Sequence, residues 1–405
     1  MEQVKDDSRR YGHRVGLCAV VRGASVHRTR ARVLITALGH GSCNVVISLQ
    51  AVHSPSVCRR GEDSKLSITM HDVARVAGVS IKTVSNVVND YPHIRAETRQ
   101  RVLEAIETLD YRPNLSARGL RSGRTNVISL IIPHLRNAYF AELAEAVMSA
   151  ASEQGLSVII EQSGDTRESE LAVLSGPRMQ MVDGVLYSVL TLDASDVHLL
   201  EQVRVPMVLL GERFFDGPSD HVTMRNTEGS KAATEHLISL GRRRIVALGA
   251  HRGEVNGAAG LRLRGYREAL DEAGIPFDER LVSEVGGWFR ASGAEAMRVL
   301  LASGVDFDGV VAFNDSMAFG GMRVMQEAGI RVPQDVAVIG FDDIDETRYT
   351  LPTLSTINPG REEIARVAVA YLLERISQPG ASIPPREYLS DFQLLAREST
   401  AVTAR

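Results

Sequence analysis

Ser80, Ile81, Lys82, Thr83 and Asn86 have the types and spacing of a nucleic-acid-reading helix. Ser80 can cap the helix start, because its side-chain oxygen can accept from an orphan amide of the first turn. Ile81, Lys82, Thr83 and Asn86 then fall at the start and outer face, from which side chains reach base edges in a major groove. Lys82 suits guanine or a phosphate, and the Asn86 carboxamide matches the donor and acceptor of adenine. The hydroxyls of Thr83, Ser85 and Tyr111 suit phosphate oxygens. Thr69 and Asp72 stand three apart, as at a helix start, and Met70, Val73, Ala74 and Ala77 follow helical spacing. Gly78 breaks that first helix, and Val84, Val87 and Val88 give the second an inner face. A third helix is expected over about 96–109, with Val102, Leu103, Ile106 and Leu109 apolar. Helix, short glycine turn and second helix make a helix-turn-helix pattern. A purely structural three-helix bundle satisfies the same pattern.

The next segment, 111–125, is Tyr-Arg-Pro-Asn-Leu-Ser-Ala-Arg-Gly-Leu-Arg-Ser-Gly-Arg-Thr. Pro113 stops the third helix, and Asn114 can cap one more, ending at Ser122-Gly123. Such a helix is too short and polar to persist alone in water, so it reads as an element that folds when something holds it. Charge follows the same division. Residues 1–65 carry +6, residues 66–125 carry +3, and the other 280 carry −13, for a net −4. A polyanion would meet the N-terminal side.

From Asn126 onward, short apolar runs alternate with helical patterns, beginning with 127–132 as a strand and 140–153 as a helix. Alternation of this kind means βαβ units and parallel sheets, and about 280 residues of it suggest two doubly wound subdomains with a cleft between them. Residues 1–65 show no such periodicity. They read as a disordered basic extension, or as translated sequence upstream of the true start. Several classes are excluded. No apolar run is long enough for a membrane-spanning helix. All three cysteines, Cys18, Cys43 and Cys58, lie in the first 60 residues, which excludes a disulfide scaffold and points to a reducing, cytoplasmic setting. Phosphate-loop, hydrolase-elbow and zinc-protease motifs are absent, so no enzyme, cofactor or metal is expected.

Several ordered motifs resemble the LacI/GalR family of transcription regulators. They are Thr69-Met70-His71-Asp72-Val73-Ala74, Ala77-Gly78-Val79-Ser80, Thr83-Val84-Ser85, and Tyr111-Arg112-Pro113-Asn114. The resemblance continues through Asn137-Ala138-Tyr139-Phe140, Asn226-Thr227-Glu228-Gly229, Arg264-Gly265-Tyr266, Asn314-Asp315 and Gly340-Phe341-Asp342-Asp343. It implies a helix-turn-helix domain over 66–113, a hinge helix and linker over 114–125, a two-subdomain core over 126–400 and a tail over 401–405. It also implies a homodimer that reads a palindromic operator as a repressor, with affinity set by a small effector of the carbohydrate class.

The residues expected at DNA are therefore Thr69, Ser80, Ile81, Lys82, Thr83, Ser85, Asn86, Tyr111, Asn114, Ala117, Arg118 and Leu120. Leu120 matches the leucine that each subunit wedges into the central minor groove, and its neighbours Arg118, Gly119 and Arg121 are too polar for a core. Tyr139, Phe140, Arg262, Trp288, Asn314 and Asp342 match the effector-binding residues. Asp315 and Asp343 are read instead as caps of the segments that follow. Some positions depart from family patterns. Asn256 and Ala258 replace the Arg and Thr of purine-binding members, which makes a purine effector doubtful. Arg225 stands where many sugar-binding members have Asp. A solute-binding protein built on the same core is the alternative reading.

Overall fold

The computed structural model describes residues 68–88, 91–111 and 124–401. The first of these segments holds α1 (Met70–Ala77) and α2 (Ile81–Val88), and the second holds α3 (Ala96–Thr108). The Asp72 carboxylate accepts from the Thr69 amide at 3.0 Å and the Thr69 hydroxyl at 2.7 Å, which ties down the start of α1. Those bonds hold Asp72 down at about 2. Gly78 ends α1 in the left-handed region at φ 65°, the conformation a residue with a Cβ resists. Val73, Ala74, Ala77, Val84, Val87, Val102, Ala105 and Tyr111 bury together as the core of the three helices. Leu103 departs from the expected inner stripe and is exposed. Ala105 takes the inward place, because it lies three residues from Val102, on the same helix face.

Strands β1 (Val127–Ile132), β2 (Ser157–Gln162), β3 (Gly184–Ser188), β4 (Met207–Leu210) and β5 (Asp220–Met224) form a parallel sheet in the order β2-β1-β3-β4-β5. Strands β6 (Ile245–Ala250), β7 (Val282–Glu284), β8 (Gly309–Ala312), β9 (Ala337–Phe341) and β10 (Ser355–Asn358) repeat that plan as β7-β6-β8-β9-β10. Then β11 (Glu387–Ser390) joins the first sheet beside β5, and β12 (Gln393–Leu395) joins the second, antiparallel to β10. Each sheet reverses direction next to its first strand, between β1 and β3 and between β6 and β8. Such switch points open a crevice at the strand C-termini.

Helices follow the strands: α4 (Ala138–Glu153), α5 (Arg167–Leu174), α6 (Val197–Leu200), α7 (Asn226–Ser239), α8 (Ala258–Glu272), α9 (Arg290–Ala302), α10 (Asp315–Glu327) and α11 (Arg361–Ser377). The chain passes between the two subdomains three times: at Arg225, at Pro359-Gly360 and at Asp391-Phe392. Helix α11 thereby returns to pack on α4 of the first subdomain. Two helix pairs are held close by glycine. A Cβ on Gly265 would fall on the Thr227 carbonyl oxygen, and one on Gly320 on that of Arg290.

Helix α8 starts six residues before the sequence pattern placed it at 264, so Arg262 sits on a helix rather than in a loop. Strand β5 escaped the pattern because it carries Asp220 and His221, yet all five of its residues are buried. Asp220 is matched by Arg375 at 2.7 Å and Arg386 at 2.9 Å, which hold its carboxyl at about 2 despite burial.

Candidate functional site

Helix α2 is positioned by the turn before it. Ser80 Oγ accepts from the Thr83 amide at 3.1 Å and lies 2.9 Å from the Thr83 hydroxyl. Thr69, Ser80 and Lys82 are exposed, while Ile81, Thr83 and Asn86 are half-buried, so Lys82, Thr83 and Asn86 share an accessible edge. Ser85 and Tyr111 differ from the outward phosphate donors expected. Ser85 faces the helix bundle at 8% exposure, and the Tyr111 ring fills it at 7%. The reason is geometric: Ser85 lies four residues from Ile81 and three from Val88, both packed against the core, and Tyr111 follows α3 and packs into the same core. Asn114, Ala117, Arg118 and Leu120 lie outside the described residues. On the core side, the Asp183 carboxylate takes the amides of Thr125 and Asn126, each at 2.7 Å, and pins the chain where the core begins.

In the core, a cavity of about 170 Å³ lies between the sheets at the strand C-termini. It gathers Tyr139, Phe140, Arg262, Trp288, Asn314 and Asp342, all six of the residues expected there. Sequence reasoning missed Glu212, His251 and Phe289 on its wall and Asn226 just behind it. The signal for Glu212 and His251 was available, since each follows the end of a buried strand at the same crevice.

Arg262 is 2% exposed. Its Nε donates to Asn226 Oδ1 at 2.7 Å, Nη1 to the Phe313 carbonyl, and Nη2 to Met224 Sδ at 3.4 Å. Its guanidinium stacks 3.6 Å above the Phe341 ring and lies 3.7 Å from Asp342 Oδ1. Burial lowers its pKa, but a guanidinium stays charged. Arg262 is expected to meet the effector, yet most of its donors are committed to the protein.

Asp342 is 5% exposed and has φ 116°, a backbone region that costs a non-glycine residue free energy. Burial pushes its carboxyl up to about 7, with Arg262 and Arg361 opposing and Glu212 and Glu142 reinforcing. The pressure extends to Tyr139, whose phenol is raised by burial and by the charges of Asp342 and Glu212. Glu212 gives one oxygen to Asn226 Nδ2 at 2.9 Å. Arg361 donates to the Asp342 carbonyl at 3.0 Å and pairs with Glu142 at 2.8 Å, tying α4 and α11 to the loop after β9.

Asn314 caps α10, accepting from the Met317 amide at 2.8 Å, and donates to the Trp288 carbonyl at 3.3 Å. The cap is therefore Asn314 and not Asp315. Asp315 instead accepts from Thr356 Oγ1 at 2.7 Å and the Ile344 amide at 3.1 Å, and burial with the nearby Asp342 raises its pKa. Asp343 does not cap either: the turn Asp345–Arg348 starts from Ile344 with no side-chain cap, and Arg348, Arg397 and Asn358 converge on the Asp343 carboxylate. Trp288 donates its indole N–H to the Gly249 carbonyl at 2.9 Å, which fixes the ring beside the cavity. A larger open groove of about 1090 Å³ flanks the second subdomain, but its three arginines are engaged locally, Arg252 with Glu284, Arg280 with Asp278 and Arg267 over the Phe277 ring.

Comparison with known proteins places both parts. Residues 69–114 match the model of bacterial regulatory proteins of the lacI family, and residues 234–400 match a periplasmic binding protein-like domain. The ribose operon repressor of Escherichia coli (strain K12) is 33% identical over 313 residues, covering 77% of this chain and 94% of the relative. A solved LacI-family regulator from Sanguibacter keddieii is 50% identical, with TM-score 0.65 over 69% of this chain and all of its own. The Lac repressor dimer bound to operator and the anti-inducer ONPF is 29% identical, with TM-score 0.72 over 83% of this chain and 99% of its own. No helix among the described residues is long and apolar enough to cross a membrane. A helix-turn-helix head followed by a doubly wound core with a cleft is the build of these regulators, and the chain belongs to the lacI family of bacterial regulatory proteins, transcription regulators that bind DNA.

Proposed function

We propose that this chain is a homodimeric repressor whose grip on a palindromic operator is set by a sugar in the core cleft. The observation that carries the effector half is the chemistry of the cavity wall. Arg262 has most of its donors committed, whereas the carboxyl groups of Glu212 and Asp342 line the same cavity as the rings of Phe140 and Trp288. A wall of acceptors beside ring faces suits a ligand with hydroxyl donors and an apolar ring face, and it disfavours a carboxylate or phosphate. The cavity, about 170 Å³, has room for a sugar ring.

The DNA half rests on the accessible edge of α2, with Lys82 and Asn86 reading bases and Thr69, Ser80, Ile81 and Thr83 adjoining them. Ser85 and Tyr111 act from within the bundle by shaping it. The hinge 114–125, with Asn114, Ala117, Arg118 and Leu120, is proposed to fold on the operator and to wedge Leu120 into its centre. An effector can shift DNA affinity only if it binds one arrangement of the subdomains more tightly than the other.

The test has two stages. A thermal-shift screen of neutral, amino and acidic monosaccharides identifies ligands, because saturation at 100 times Kd adds about 2.7 kcal/mol. Hits are then added to a gel shift on DNA upstream of the gene. Release of DNA by a neutral monosaccharide supports the reading. Specific DNA binding that no ligand alters refutes the effector half, and absence of specific binding refutes the DNA half.

A further inference from the structure

The mouth of the cleft carries a charged bridge between the subdomains. Arg213 follows β4 in the first subdomain. It donates to the Asn256 carbonyl at 2.8 Å and lies 3.5 Å from Glu254 Oε2, both in the second. Glu254 is not a free surface acid. Its Oε1 accepts from the Ala259 amide at 3.2 Å, and its Oε2 lies 2.9 Å from His251 Nδ1. The His251 ring in turn sits 5.6 Å from Trp288, on the cavity wall. A continuous path therefore runs from the first subdomain through Arg213, Glu254 and His251 to Trp288. Glu254 is 15% exposed at its side chain and Arg213 21%, so their attraction is less screened than that of an open surface pair. Gly257 leaves room for the bridge. A Cβ there would strike Glu254 Oε1 and come within 3.1 Å of Arg213 Cζ. A second contact crosses between the subdomains: Arg136 of the first stacks 3.8 Å over Phe289 of the second, and it involves neither Glu254 nor His251.

We propose that Glu254 is a positioning residue that couples the Trp288 wall to cleft closure, holding His251 against Trp288 with one oxygen while Arg213 latches the first subdomain onto it. The latch is a property of the free protein. Its test needs no effector, so it stands or falls separately from the effector reading above.

The chain's only tryptophan is Trp288, so intrinsic fluorescence reports this one wall. The experiment measures acrylamide quenching of Trp288 in the full chain for the parent, Arg213→Met, Glu254→Gln and the double variant, with no sugar and no DNA. A latch at the low end of ordinary coupling shifts the open-to-closed ratio about five-fold when it is lost. Each single variant should then be quenched more strongly than the parent. The double should be quenched no more than either single, because both remove one shared interaction. Glu254→Asp should give the same increase by drawing the carboxylate back from Arg213 with its charge intact, and it replaces Glu254→Gln in the cycle if that variant does not fold. A merely structural role for Glu254 would lower the melting temperature without this non-additive quenching. Folded single variants quenched like the parent, or two increases that sum in the double, would overturn the proposal.

Discussion

Replacing Asp342 by Asn isolates the strain and charge stored in the cleft. The exchange keeps the shape of the side chain, and Asn tolerates a positive φ about as well as Asp. Asp342 is buried, and its carboxyl is raised from 3.8 to about 7. Between those values the folded chain binds more protons than the unfolded one. Unfolding therefore releases protons, and stability falls as pH rises through the window. Three pH units at 1.36 kcal/mol each make the cost about 4 kcal/mol, shared with Asp315, whose pKa the same charge raises. Asp342→Asn cannot ionise and escapes that cost. Near pH 4 parent and variant should unfold alike, since the parent carboxyl is then neutral too and Arg262 lacks a charged partner in both. Near pH 8 the variant should be the more stable by up to about 4 kcal/mol. Urea unfolding followed by Trp288 fluorescence at several pH values measures the difference. A difference that is constant from pH 4 to 8 would show that Asp342 is not held above its ordinary range, and the account of the cleft charges would fail.

Further outcomes are expected elsewhere. Asn86→Ala should relax preference at one base position per operator half at a cost of about 1–3 kcal/mol, read by binding to operator variants; equal loss on random DNA assigns Asn86 to the backbone. Leu120→Ala should weaken operator binding and reduce the DNA bend while leaving sugar affinity in free protein unchanged; a parental bend and affinity would remove the wedge. Gly265→Ala should lower stability by about 1–3 kcal/mol, because its Cβ meets the Thr227 carbonyl of α7; a melting temperature like the parent's would mean that the α7–α8 contact relaxes freely.

Much of this protein is legible in its sequence. The start of α1 at Thr69 and Asp72, its stop at Gly78 and the cap of α2 by Ser80 are local matters: each depends on hydrogen bonds within four residues. Apolar runs such as 127–132 predict buried parallel strands because both faces of such a strand are covered. The six cleft residues were found by resemblance to a family, not by spacing, since Tyr139 and Asp342 stand 203 positions apart and nothing local ties them.

Tertiary structure decided what depends on distant partners. Strand β5 looks too polar to be buried, and it is buried because Arg375, Arg386 and the Gly211 carbonyl come to it from elsewhere in the chain. The turn of Ser85 and Tyr111 into the bundle follows from how three helices pack. The commitment of Arg262 to Asn226 and Phe313 makes it part of the cavity wall rather than a ligand donor alone. The bridge from Arg213 to Glu254 exists only because two loops on separate subdomains meet at the mouth of the cleft. Sequence fixes local conformation through short-range hydrogen bonds and periodic burial, whereas the state of a charge or a donor depends on which groups the fold brings against it, from any distance along the chain.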